Sequence, residues 1–276
     1  MAILVRRFLT VIGLVSAAFS GTAMDAVLAA GQSVLSDQEK QALILGMVNK
    51  HKNDEGNAWP TEVILAMICQ EAGEGAFRAS GRSRIYKNYV YGPWTEPDNT
   101  WDSRRNLGYA FFSDGLMQVT PASGYTGRNG YGYETSYIHH ESTPSGLMDE
   151  GTFGGYLHTQ EGYEAGIDDG IAYVDLQFRM YRGRINAILH HNTGPNSLWI
   201  YKTGRGDPRY LEHIAWRLAT CVPRLYGLSN QAWVEALLAG QKMVNEMLAR
   251  LPANQSVSTY QPYQIELDAR LRQLRP

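Results

Sequence analysis

Two cysteines, Cys69 and Cys221, are all that 276 residues carry. So few exclude a disulfide-dense mini-scaffold, and no CxxC or HExxH spacing accompanies them. His190-His191 lacks ligand spacing as well, and His139-His140-Glu141, which could suggest a metal, reads as solvated loop residues, so no metal is expected. Charge is also scarce: 19% of residues, with 25 Lys and Arg against 27 Asp and Glu, for a formal net charge of −2. The basic residues gather into no stripe, which argues against nucleic acid as a partner. No internal repeat is visible. No apolar run reaches the roughly 20 residues of a membrane helix, so no stable span is expected once the N-terminus is processed.

What is present begins at that N-terminus. Arg6 and Arg7 precede an apolar run over 8–19 (FLTVIGLVSAAF), and Gly21 and Ala23 fit a small-x-small cleavage site. This pattern predicts a signal peptide over 1–23 and hence a periplasmic or secreted protein. In an exported chain Cys69 and Cys221 can pair. Two separate buried thiols are the alternative, and spacing does not choose between them.

Apolar residues make up 44% of the chain, enough for a core. Ser36 and Glu39 read as a capping box opening an amphipathic helix to about His51. Pro60 stands at a first helical position, and 63–69 (VILAMIC) is apolar on every side, as in a helix buried all round. Gly73 fits the residue just past its end. From about 81 to 164 the texture changes to Gly, Tyr, Ser, Asn and Asp, read as two insertions over 81–112 and 122–164. Loops that long in a compact domain are usually functional. Tyr125, Tyr131, Tyr133, Tyr137, Trp94 and Trp101 in them could line a sugar groove or simply pack the loops down. Helical spacing returns over 166–181, with Ile171, Val174, Phe178 and Tyr181 on one stripe, then over 184–191, 211–220 and 230–251. Residues 251–276 read as a polar tail with a short helix near its end, which leaves 34–250 as the main domain.

Glu71 closes the apolar helix. Burial and the negative pole of a helix C-terminus both disfavour an anion there, so the sequence predicts a carboxyl protonated near neutral pH. Glycosidic cleavage needs such an acid to protonate the leaving oxygen. Two further segments gain meaning beside it. In Gly115-Leu116-Met117-Gln118, followed by Val-Thr-Pro, Gly115 lets a ligand approach the backbone and Gln118 offers both a donor and an acceptor. In 190–195 (HHNTGP), His191 and Asn192 sit at a helix end entering a turn.

In this order the three segments resemble the soluble lytic transglycosylase family, in which a Pro-initiated apolar helix ends in Glu-Ser, a GLMQ segment follows, and an Ala-Tyr-Asn-Ala-Gly-type turn comes last. The run 166–187 also resembles that family's penultimate helix and its link onward. The resemblance covers about 100 of 276 residues, in pieces, with GLMQVTP its most specific one. It implies a mainly α fold of the lysozyme-like α+β kind, with long Gly- and Tyr-rich insertions around a groove. It implies peptidoglycan glycan strands as substrate, with secretion or cell-wall machinery as further partners. Glu71 would be the single acid/base; Gly115, Leu116, Met117, Gln118, His191 and Asn192 would bind substrate. Ala72 stands where the family has Ser, and His191 where it has a Tyr that contacts the acid, which leaves open an imidazole bond to Glu71. Two rival readings follow from the same residues. A lysozyme-like hydrolase would activate water with a second carboxylate, for which Glu74, Asp114 and Glu164 are placed. A non-catalytic glycan binder would keep the groove alone.

Overall fold

The computed structural model describes residues 35–52, 58–78, 86–89, 111–114, 116–118, 160–252 and 255–276. The expected signal segment 1–23, Gly115, and the Tyr, Trp and His residues singled out in the insertions lie outside them. Of the short unit Met1–Ser36 only the last two residues are described; Asp37–Pro276 forms a second, compact unit.

Among the described residues the fold is mainly helical. The helices are α1 (Asp37–His51), α2 (Thr61–Glu71), α3 (Gln160–Tyr181), α4 (Arg184–Thr193), α5 (Ser197–Lys202), α6 (Tyr210–Tyr226), α7 (Gln231–Arg250) and α8 (Val257–Leu271). Two short 3-10 turns, Glu74–Phe77 and Gly194–Asn196, follow α2 and α4. One antiparallel strand pair, β1 (Tyr86–Tyr89) and β2 (Phe111–Asp114), sets Tyr86 opposite Asp114; β1 falls inside the first insertion and β2 at its end.

Each helix follows from its pattern. α1 buries Ile44, Met47, Val48 and His51, one face at helical spacing, and carries acids in its first turn and bases in its last, as the helix dipole favours. α2 lies at the centre, with Val63 to Cys69 without solvent contact. Burying each such side chain contributes roughly 1.5–3 kcal/mol. Pro60 is the residue just before α2 rather than its first, and its carbonyl accepts from Val63 and Ile64 at 3.1 and 3.3 Å. Trp59 packs edge-on to Phe178, and its Nε1–H donates to the fully buried Asp175 at 2.6 Å.

Three boundaries differ from the sequence reading. α3 starts six residues earlier, at Gln160. α6 runs on to Tyr226 through Pro223. A proline removes one backbone donor, and here it does so in the last turn, just before Gly227 ends the helix at φ 67. The stretch 251–276 is not simply a polar tail. Tyr260, Leu267 and Leu271 recur at helical spacing among polar residues, and α8 inserts all three into the core.

Candidate active site

The end of α2 sets the position of Glu71. Ala72 caps the helix, donating its N–H to Ile68 at 2.9 Å, and its side chain is buried in the core. Gly73 then turns the chain away at φ 79, ψ 167, a conformation L side chains rarely adopt. Glu71 is therefore half-buried, with a wholly buried helix behind it.

The partner of Glu71 comes from α6. Tyr210, the first residue of that helix, is 2% exposed and donates its hydroxyl to Glu71 Oε1 at 2.6 Å. Burial, and then the neighbouring Glu71 charge, hold the Tyr210 hydroxyl well above the usual tyrosine range. Tyr210 thus remains a donor at any ordinary pH. Two further ties lock α2 to α6. Cys69 and Cys221 form a disulfide with their Cα atoms 6.8 Å apart, two residues from Glu71. Arg217 donates to Gln70 at 3.2 Å. The pairing left open above is therefore made.

The second and third segments meet directly. Leu116 and Met117 are fully buried, and Met117 packs so tightly on α3 that a Cβ at Gly170 would lie 2.4 Å from its own. Gln118 is half-buried with φ 54, a left-handed conformation costing a non-glycine residue roughly 1–2 kcal/mol. The carbonyl of Met117 accepts from His191 Nε2 at 2.9 Å. A carbonyl cannot donate, so Nε2 carries the proton, and Nδ1 is left a buried acceptor with no partner among the described residues. Burial drives the His191 pKa down to about 4, against a smaller opposing pull from the Met117 bond. The neutral ring packs on Tyr173, centroids 5.5 Å apart. His191 therefore spends its one ring proton on Met117, not on Glu71. The hydrogen bond to Glu71 that the sequence left open for the His191 imidazole is made instead by the Tyr210 hydroxyl.

The neighbours of His191 serve the framework. His190 is fully buried, stacked on Tyr181, with Nδ1 2.5 Å from the Gly194 carbonyl and Nε2 3.0 Å from Asp268 on α8. Asn192 Oδ1 accepts from Tyr201 Oη at 3.4 Å and from the Asp207 N–H at 3.2 Å.

Two of the three candidate second carboxylates, Glu74 and Glu164, are engaged elsewhere. α2 does not continue to Glu74, which turns to Arg217 at 3.4 Å and to Arg224. Glu164 pairs with Lys50 and, at 3.1 Å, with His51; those hydrogen bonds hold its carboxyl below the usual range. Of Asp114, only the backbone, at the end of β2, is described. Among the described residues no group of three or more His, Cys, Asp and Glu could hold a metal, and no helix is long and apolar enough to cross a membrane.

Sequence reasoning missed Tyr210. It stands 139 residues from Glu71, and a tyrosine opening an amphipathic helix gives no sign of what its hydroxyl will meet. No protein-family model, no curated protein and no solved structure matches this chain.

Proposed function

We propose that the protein is a peptidoglycan lytic transglycosylase with Glu71 as its one acid/base, on a lysozyme-like helical scaffold exported by 1–23. The observation that carries this reading is the Glu71–Tyr210 pair: a half-buried carboxyl at the end of a fully buried helix, held by a tyrosine hydroxyl at 2.6 Å. In the proposed reaction Glu71, as the acid, gives its proton to the glycosidic oxygen between N-acetylmuramic acid and N-acetylglucosamine. The C1–O bond breaks, and the substrate's own acetamido group stabilises the cation that develops. Glu71, now a carboxylate, takes the proton of the muramic acid C6 hydroxyl as that oxygen bonds to C1. The product is a 1,6-anhydro sugar and no water is consumed, a substrate-assisted route that needs one carboxyl rather than two.

Tyr210 fits both halves of this cycle. Its hydroxyl fixes the carboxyl's rotamer and strengthens as the carboxylate forms. It also answers the departure at Ala72, where the family's serine would support the acid: that side chain faces the core. The ion pairs on Glu74 and Glu164 weigh against a water-activating base among them. Gln118 and His191 would line the groove that takes the peptidoglycan strand; Leu116 and Met117, expected from the sequence to bind substrate, are fully buried and would back that wall from the core, and Asn192 would support the framework.

Product mass decides the chemistry. Digestion of purified peptidoglycan should release muropeptides lighter by one water than hydrolysis products. Reducing-end muramic acid alone would make the protein a hydrolase. No product from folded protein on intact substrate would make it a glycan binder.

A further inference from the structure

We infer that Asn192 is a positioning residue, which clamps the 203–209 loop and so sets the Tyr210 hydroxyl on Glu71; the inference rests on the catalytic reading of Glu71 given above. The loop joins α5 to α6 and ends at Tyr210. A side-chain oxygen of α4 reaches it. Asn192 Oδ1 accepts from the Asp207 N–H at 3.2 Å and from Tyr201 Oη at 3.4 Å. A backbone N–H can only donate, so it is the amide oxygen, not the nitrogen, that faces the loop.

Asp207 carries the constraint onward. Its carbonyl accepts the Tyr210 N–H at 3.0 Å, its Oδ1 accepts the Arg209 N–H at 3.0 Å, and its Oδ2 meets His213 Nδ1 at 2.5 Å. The residue held by Asn192 thus accepts the N–H of Tyr210, the first residue of α6 and the donor to Glu71. Gly206 shows how closely the loop is seated. It sits at φ 72, and a Cβ there would lie 3.3 Å from Asn192 Oδ1 and 3.2 Å from Ile200 Cγ2. On the far side of the loop Gln241 donates to the Pro208 carbonyl at 2.7 Å and accepts from the Glu212 N–H at 3.2 Å. The loop is gripped from both flanks, and Asn192 is the grip on the side of the HHNTG segment.

The test compares Asn192→Ala and Gly206→Ala with the unaltered protein, by peptidoglycan kinetics and by amide hydrogen exchange. A clamp predicts that Asn192→Ala lowers kcat about tenfold or more, since small misplacements near a reacting centre are costly, with KM unchanged. It predicts Asp207 amide exchange about tenfold faster, as befits a lost hydrogen bond. Gly206→Ala keeps the Asn192 side chain but crowds it and strains the loop, and should reproduce the fall in kcat. A rise in KM alone for Asn192→Ala, with Asp207 exchange and Gly206→Ala kinetics unchanged, overturns the inference and makes Asn192 a direct substrate ligand. If the unaltered protein is inert on peptidoglycan, the catalytic reading falls instead, and the clamp is judged on the exchange rates alone.

Discussion

At the scale of single residues, the account turns on hydrogen bonds with one sensible direction. Tyr210→Phe removes a donor to a carboxylate while keeping the buried ring. Such a bond is worth about 1.5–3 kcal/mol, so kcat should fall roughly tenfold to a hundredfold, with a melting temperature lower by at most about 3–12 °C and the protein still folded. His191 makes a separate, pH-linked prediction. Its folded pKa of about 4 lies below the unfolded value of 6.5, so the unfolded chain binds the extra proton first as pH falls. Its contribution to stability is whole above pH 6.5 and is lost progressively down to about pH 4, amounting to at most roughly 3–4 kcal/mol. Urea midpoints across that window should drop more steeply for the wild type than for His191→Gln, and equal slopes would contradict the buried neutral ring. Glu71 was legible in the sequence because a carboxylate ending a uniformly apolar run is a local anomaly. Tyr210, His190 and Asn192 were legible only as residue types. Their partners are set by folding, and neighbours in sequence say nothing of which carbonyl or carboxylate each will find.

At the scale of elements, the pairing of α2 with α6 is what the site is built on. The Cys69–Cys221 bridge closes a sequence separation of 152 residues, and closing so long a loop in the unfolded chain stabilises the fold by about 2–5 kcal/mol. Reductant should therefore lower the urea midpoint, and the double Cys→Ala variant should show the same loss and no further response to reductant. α8 makes the second prediction. Leu267 is fully buried, so Leu267→Ala should cost about 2–5 kcal/mol, and removal of residues after 251 should leave little folded protein by circular dichroism. Helical periodicity placed α1, α2, α4 and α7 closely. It under-read α6 because proline is a helix breaker on average and tolerable in a final turn. It under-read α8 because three core residues spread over 12 positions look polar in composition, while their spacing puts them on one face.

At the scale of the whole Asp37–Pro276 unit, segments far apart in sequence share one framework. Met117 and His191 are joined by a hydrogen bond across 74 residues, Glu71 and Tyr210 by one across 139, and Asn192 reaches the start of α6 through Asp207. The order of the three motifs was visible in the sequence, but the ties between them were not, because two of the three run through residues outside the motifs. The proposal gives acid/base work to Glu71, while Glu74 and Glu164 sit in ion pairs. The most direct test of that claim is mass spectrometry of peptidoglycan digested by the purified protein and, in parallel, by its Glu71→Gln variant. The account predicts 1,6-anhydro muropeptides from the unaltered protein and none from the variant, with both folded to the same melting temperature within about 2 °C. Anhydro products from both proteins would contradict it, since the acid would then have to be another group.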